Sequence, residues 1–507
     1  MLTLHVATTS FVANAVGNHR GRTISPIMDE AAAKAAWLAK TQPQWGPEAT
    51  RDSAPAAAAP VAAPAPAAAS EAAAKAAWLA RLETPSWGGA RAAGGLVNDF
   101  TCQWLSDSEK AALKATADAM SAPNKGFLAS DESAGPWLRA GHVDAAKVPD
   151  TEENRAAYRS MLYNAPGLSE YISGVILHTE TLYQTDASGR KMVDIINENG
   201  MIPGIKLDKG YDTSGIPGTA VGPLGHPETF DKGIDDLDAR CKAAYEQGAR
   251  FAKWRNVLQI DPDKGLPSDL AITLCVHNLA QYATICQRNG LVPTVEPLTL
   301  TLTLTLTLTL TLTLALTRLV PIVEPEIVPN GEHGIEVCAA VTEKVLTAQF
   351  AALKQHGVYL EGAVLKPNMV KNGLSGPKAT PEEIATATVN VLKRTVPCAM
   401  PGIFFLSGEA ALTEDNEEEA TINLSTMNRL FPDTPWSVSF SYGKALQKTT
   451  IVTWAAGHHD VRNAPTAQAA ILARCKANGD ACKGVYTPGD CYSIGVDGNI
   501  EQAAGAY

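Results

Sequence analysis

Short, continuous apolar runs punctuate the chain from residue 126 onward: Gly126 to Ser130, Gly174 to Leu177, Met201 to Leu207, Arg250 to Leu258, Leu319 to Val323, Tyr359 to Leu365, Gly402 to Leu406 and Trp436 to Phe440. Runs of this kind predict strands buried on both faces, as a parallel sheet requires. Between them lie segments with apolar residues at helical spacing, clearest in Asp231 to Gly248, Ser268 to Asn289, Glu336 to His356 and Pro381 to Arg394. Strands alternating with helices predict an α/β fold, and eight such units predict a closed (β/α)8 TIM barrel spanning residues 101–460, followed by a C-terminal region, 461–507. In that architecture chemistry gathers at the mouth where the strands end.

Upstream the pattern is different. Residues 1–26 hold no acidic residue but include Arg20, Arg22 and several Ser and Thr, which is the composition of a transit peptide. A plastid location follows if that leader is real, and a cytoplasmic one otherwise. Residues 27–100 form an Ala/Pro-rich extension, expected to be disordered or partly helical. Within it Glu30-Ala-Ala-Ala-Lys-Ala-Ala-Trp37-Leu-Ala recurs as Glu71-Ala-Ala-Ala-Lys-Ala-Ala-Trp78-Leu-Ala. Each copy has Glu and Lys at the favourable i,i+4 spacing but is too short to be a stable helix alone. Two such helices on a flexible linker are read either as a bivalent docking element for a protein partner, anchored by Trp37 and Trp78, or as a drifted repeat with no partner.

Composition narrows the classes. The chain has 507 residues, 45% of them hydrophobic, enough for a large core. A net charge of -11 argues against nucleic acid or an anionic membrane as the main partner, so any phosphate site must be a local cluster of cations. Nine scattered cysteines with no Cys-x-x-Cys spacing argue for reduced thiols rather than a disulfide framework or zinc site. The ten histidines are dispersed apart from His458-His459, so no metal centre is expected. The one long candidate for a membrane span, Leu298 to Leu314, is half threonine and has no membrane character.

Lys366 closes the run Tyr359 to Leu365 and precedes Pro367. A lysine ending a buried strand is either a side chain snorkelling to the barrel rim or a reagent whose amine, kept neutral by desolvation, adds to a carbonyl. The other predicted strand ends favour the reagent. They carry Asp131-Glu132-Ser133, Lys206 and Asp208, Lys253 and Arg255, Glu324 and Glu326, Ser407-Gly408, and Ser441-Tyr442-Gly443-Lys444. Lysines from three strands converge with carboxylates between them, and each cation is expected to help keep its neighbour's amine neutral. An iminium on Lys366 would act as an electron sink for aldol cleavage without metal. Asp131 would take a hydroxyl proton and Glu324 would shuttle protons for carbinolamine chemistry. Ser-Gly and Tyr-Gly at adjacent strand ends offer bare N–H groups to a phosphate.

Seven strings carry a family resemblance: Leu-Ala-Ser-Asp131-Glu-Ser, Thr151-Glu-Glu-Asn-Arg155, Gly204-Ile-Lys-Leu-Asp-Lys-Gly210, Phe251-Ala-Lys-Trp-Arg255, Val323-Glu-Pro-Glu-Ile327, Leu365-Lys-Pro-Asn-Met369 and Phe405-Leu-Ser-Gly408. From about Asp107 to Tyr507 the chain resembles class I fructose-bisphosphate aldolase. The resemblance implies reversible cleavage of fructose 1,6-bisphosphate to dihydroxyacetone phosphate and glyceraldehyde 3-phosphate, with no cofactor beyond the covalent Schiff base. It implies Lys366 as the Schiff-base lysine, Glu324 as acid and base for dehydration, and Asp131 as base on the C4 hydroxyl. Lys253 and Arg255 would assist carbinolamine chemistry and bind substrate, with Glu326 beside them. Ser133 and Lys206 would face one phosphate, and Ser407, Gly408, Ser441, Gly443 and Lys444 the other. Tyr507 matches a C-terminal tyrosine that folds over the site, and a homotetramer is implied.

Four departures from the family pattern stand out. Lys444 replaces the usual arginine, giving a phosphate a point charge instead of a bidentate fork. Pro136 and Arg139-Ala140 replace the usual donors after Ser133. Glu409 replaces a glycine beside Gly408. Finally, Leu291-Val-Pro-Thr-Val-Glu-Pro297 recurs as Leu319-Val-Pro-Ile-Val-Glu-Pro325 around the Leu-Thr alternation of 298–314, an arrangement read as a retained intron or a gene-model error. If the insert is translated, the second copy is expected to supply strand five, with Glu324 rather than Glu296 in the site, because the extra residues then leave the mouth open. Altered phosphate residues also keep open a Schiff-base aldolase for another sugar phosphate, or a catalytically poor scaffold docking through the Trp repeat.

Overall fold

The computed structural model describes residues 104–131, 148–289, 318–408, 417–456 and 464–490. The leader, the extension with Trp37 and Trp78, Ser133, the Leu-Thr insert with Glu296, Glu409, His458-His459 and Tyr507 lie outside the described residues.

Among the described residues, eight parallel strands close into one barrel in chain order: β1 (Gly126–Ser130), β2 (Ile172–Leu177), β3 (Ile202–Lys206), β4 (Phe251–Gln259), β5 (Val320–Val328), β6 (Val364–Leu365), β7 (Gly402–Phe405) and β8 (Ser437–Tyr442), which pairs back onto β1. The helices that matter below are α1 (Asp107–Met120), α2 (Glu152–Tyr163), α3 (Thr179–Tyr183), α4 (Met192–Glu198), α5 (Leu237–Glu246), α6 (Asp269–Arg288), α7 (Ile335–Gln355), α8 (Pro381–Thr395), α9 (Glu419–Leu430), α10 (Lys444–Ala456) and α11 (Ala464–Cys482). Local chemistry sets several of their starts. Ser106 and Glu109 form a capping box at α1, and Thr380 with Glu383 forms another at α8, where Pro381 supplies a preset φ at the first position.

The barrel interior is apolar below its mouth. Phe127, Phe251 and Phe404 fill it with stacked rings, Phe127 lying 4.1 Å from Phe404 and 5.5 Å from Phe251 between centroids. Ala129, Ile176, Val320, Ile322 and Val364 join that inner cluster, Leu105 and the α1 residues Leu113, Ala117 and Met120 also belong to it, and the outward positions of the strands pack against the helices in a second, larger one. Gly204 exists for this plug, since a Cβ there would sit 2.2 Å from the Phe251 ring. Fully burying a large apolar side chain contributes roughly 1.5–3 kcal/mol, so the plug is a rigid floor beneath the polar mouth.

The eight predicted runs each overlap a strand, with informative differences. The run Tyr359 to Leu365, read as one strand, is mostly a 3-10 turn at Leu360–Gly362, leaving only Val364–Leu365 in the sheet. The strand ends where the run does, at Leu365, just before Lys366 and Pro367, so the shortening is all at its start. β5 runs five residues beyond the predicted Leu319 to Val323, carrying Glu324 and Glu326 within the strand. The helical pattern from Asp231 begins as loop, and α5 itself starts at Leu237. The second copy of the duplicated heptapeptide supplies β5, placing Glu324 at the mouth.

Candidate active site

Side-chain parity decides what faces the mouth. Inner-cluster residues Phe127 and Ala129 on β1, Ile176 on β2, Ile202 on β3, Phe251 on β4, Ile322 on β5 and Val364 on β6 set the inward series. Extending each by steps of two brings in Asp131, His178, Lys206, Lys253 with Arg255, Glu324 with Glu326, and Lys366. The register pairs Lys206 with Lys253 and Arg255 with Glu324.

The centre is a chain of alternating charges. The Glu324 carboxylate bridges two ammoniums, with Lys366 Nζ at 2.9 Å from one oxygen and Lys253 Nζ at 2.9 Å from the other. Lys253 Nζ also donates to Asp131 at 2.9 Å. All four residues are at most 4% exposed. Burial alone would lower the Lys253 amine, but Asp131, Glu324 and Asp208 together hold it well above the usual lysine range. Burial alone would raise the Asp131 carboxyl, but Lys253, Lys366 and Lys206 hold it far below the usual carboxylate range. Lys253 is therefore a fixed cation rather than the second neutral amine that clustering of lysines led one to expect. The carboxylates between the lysines reverse the sign of the expected effect.

Around this centre sit the rim groups. Arg255 donates to Glu326 at 3.1 Å, and Lys206 pairs with Asp208. Lys206 and Arg255 keep 24% and 30% of their side chains accessible, enough to meet a ligand. Asp208 and Asp231 form a buried acidic pair behind them. Burial and the neighbouring Asp208 carboxylate push Asp231 up to about 8, whereas Lys253 and Lys206, against the opposing effect of burial, keep Asp208 low. Asp231 was invisible as a site residue in the sequence because it stood inside a predicted helix.

On the opposite side, Ser407 and Gly408 follow β7, with Gly408 at φ +100°. Ser441 near the end of β8 is buried, and its Oγ has no hydrogen-bond partner among the described residues. Gly443 starts α10, its carbonyl accepting from the N–H groups of Leu446 and Gln447. Lys444 occupies the first turn of this 13-residue helix, where a cation opposes the helix dipole unless an anion is bound beside it. Ser133 and Tyr507 cannot be placed, since both lie outside the described residues.

His178 is a mouth residue that the strand-end survey missed. The predicted β2 run stopped at Leu177, and only the parity set by Ile176 carries the inward series to it. Among the described residues, no group of three or more His, Cys, Asp or Glu side chains is placed to hold a metal.

An eight-stranded barrel with a lysine held against a carboxylate at its C-terminal mouth defines a carbonyl-lyase type of site, of the kind that works through an enzyme-bound amine. A family model described as "Fructose-bisphosphate aldolase class-I" matches residues 112–303 and 312–503, interrupted within the Leu-Thr stretch. Fructose-bisphosphate aldolase 1 of Toxoplasma gondii is 47% identical over 74% of this chain and 91% of its own length. A cytosolic aldolase of Arabidopsis thaliana, fructose-bisphosphate aldolase 5, is 45% identical over the same shares. The crystal structure of Plasmodium falciparum fructose-bisphosphate aldolase, in complex with TRAP and a small-molecule inhibitor, is 42% identical, with a TM-score of 0.66 over 77% of this chain and 99% of that one. The chain belongs to the class I fructose-bisphosphate aldolase family. Its activity is that of a lyase, cleaving fructose 1,6-bisphosphate reversibly through a lysine Schiff base.

Proposed function

We propose that Lys366 is the Schiff-base nucleophile and that Glu324, Lys253 and Asp131 carry the proton traffic around it. The observation behind this assignment is the Glu324 carboxylate held 2.9 Å from both Lys366 and Lys253, with Asp131 on the far side of Lys253. Lys366 passes a proton to Glu324 and its freed amine attacks the C2 carbonyl. Glu324 returns a proton to the departing hydroxyl, water leaves, and an iminium remains. Asp131, held ionised, takes the C4 hydroxyl proton as the C3–C4 bond breaks and its electron pair moves into the iminium. The aldehyde product departs, the enamine is protonated at C3, and hydrolysis frees Lys366. Lys253 stays cationic throughout and stabilises charge developing on the hydroxyl oxygens. Tyr507 is assigned to the C3 protonation by family resemblance.

The substrate lies along the mouth in the order of the strands. With C2 on Lys366 and C4 at Asp131, Ser407, Gly408, Ser441, Gly443 and Lys444 take the phosphate on C1. Lys206 and Ser133 take the phosphate on C6, while Arg255 and Glu326 line the wall between. Borohydride reduction with dihydroxyacetone phosphate tests the core of the scheme. A substrate-dependent mass increase on the peptide carrying Lys366, absent from Lys366→Met and indifferent to EDTA, is the expected result. A missing adduct, or one on Lys253, would sink it. Comparing turnover of fructose 1,6-bisphosphate with that of sedoheptulose bisphosphate separates this substrate from a related sugar phosphate. Homotetramer assembly and a cytosolic location, the latter supported by the named location of the Arabidopsis relative, complete the proposal.

A further inference from the structure

His178 follows β2 in extended backbone, at φ −73° and ψ 151°, so it continues the strand's inward and outward alternation. Register puts it in one layer with two residues of the site. Ser130 pairs with Leu177 and Leu177 with Ile205, so one step further Asp131, His178 and Lys206 stand side by side on adjacent strands. The imidazole's charged neighbours are Arg159, Glu180, Lys206 and Asp131, and burial followed by the nearby Arg159 cation lowers its pKa, favouring the neutral ring.

The tautomer is set from behind. The backbone N–H of Glu180, in the first turn of α3, donates to His178 Nδ1 at 3.3 Å, so Nδ1 carries the lone pair and Nε2 the proton. Arg155 fixes that turn by a two-pronged grip on the Glu180 carboxylate, from Nε at 3.0 Å and from Nη2 at 2.6 Å, while also holding Asp150 at 2.7 Å. A pre-oriented, neutral N–H donor thus stands between the C4 base and the partly accessible Lys206.

We infer that His178 is a substrate-binding residue whose Nε2–H donates to the C6 phosphate of the bisphosphate substrate, alongside Lys206. This inference rests on the reading of Lys366 and Asp131 proposed above, since those two residues define which end of the substrate reaches β2 and β3. A neutral histidine adds a directional donor without more charge, which complements a lysine already tied to Asp208.

Steady-state kinetics of His178→Asn and His178→Phe with two substrates tests it. Asparagine keeps an acceptor for the Glu180 N–H but loses the distal donor, and phenylalanine loses both. Losing one hydrogen bond to a charged group corresponds to about tenfold in affinity. Both variants should raise KM for fructose 1,6-bisphosphate by about tenfold while shifting KM for fructose 1-phosphate, which has no C6 phosphate, by less than about twofold. Unchanged KM for the bisphosphate, or equal losses with the two substrates, would overturn the inference, the second pattern marking a packing role. Borohydride trapping of dihydroxyacetone phosphate on the same variants and on the wild type keeps the two readings apart. Normal trapping with an unchanged substrate ratio removes His178 alone, whereas a wild type that does not trap on the peptide carrying Lys366 removes the site assignment beneath it.

Discussion

The centre of the mouth and its rim are built on opposite principles. At the centre, Lys366, Glu324, Lys253 and Asp131 are buried, within a strand or directly after one, and each charge has an opposite charge at 2.9 Å. At the rim, Lys206 at the end of β3, Arg255 within β4 and Lys444 at the start of α10 are partly accessible. Buried ion pairs are poor stabilisers but costly to break, because the abandoned partner is left charged in a low-dielectric site. The centre therefore tolerates little change. The rim is partly accessible and can be rebuilt, and of the departures from the family pattern Lys444 falls there.

Substitutions should expose that contrast. Lys366→Met removes the proposed nucleophile and should lower kcat by at least about a thousandfold with the fold intact by circular dichroism. Activity within tenfold of wild type would show that another amine does the work. Lys253→Met leaves Asp131 and Glu324 without their shared cation, and should cost about 3–5 kcal/mol of stability together with a loss of kcat. It also bears on pH. Lys253 is the largest of the influences holding the Asp131 carboxyl down, so its removal raises that carboxyl and moves the acid limb of the kcat profile to higher pH. An acid limb that stays put would mean Asp131 does not titrate in it.

Smaller effects belong to the rim. Lys444→Arg restores a bidentate donor at the start of α10 and should lower KM for the bisphosphate by about two- to fivefold at constant kcat. No change in KM would place Lys444 outside the phosphate contact. Least of all, Asp231→Asn should alter only the pH dependence of stability. Asp231 titrates at about 8 in the folded chain, against an ordinary value near 3.8, so folding takes up a proton and stability falls as pH rises between those limits. With asparagine that decline should flatten, which thermal melts at pH 5.5 and 8.5 would register; parallel slopes would contradict the buried carboxyl pair.

Much of this was readable along the chain. Apolar runs marked every strand, since a parallel barrel buries both faces of each one and leaves an unmistakable composition. Apolar residues at helical spacing marked the helices Asp269–Arg288, Ile335–Gln355 and Pro381–Thr395 for an equally local reason. Lys366, Glu324 and Asp131 stood out as charges ending apolar runs. What escaped was anything set by register. The strand preceding Lys366 shrank to two residues because the 3-10 turn at Leu360–Gly362 takes up the start of its run, and Asp231 left its predicted helix for a loop behind Lys206. His178 follows a run that seemed complete at Leu177.

Sequence alone determined the strands, the helices between them and the residue types gathered at the strand ends, because burial and capping act over a few neighbouring positions. Tertiary structure decided the charge states and the neighbours. Lysines drawn together by pattern were expected to discharge one another, yet the folded barrel sets the Asp131 and Glu324 carboxylates 2.9 Å from Lys253 and keeps that amine charged. A pairing across strands distant in sequence depends on register, and register exists only once the barrel has closed.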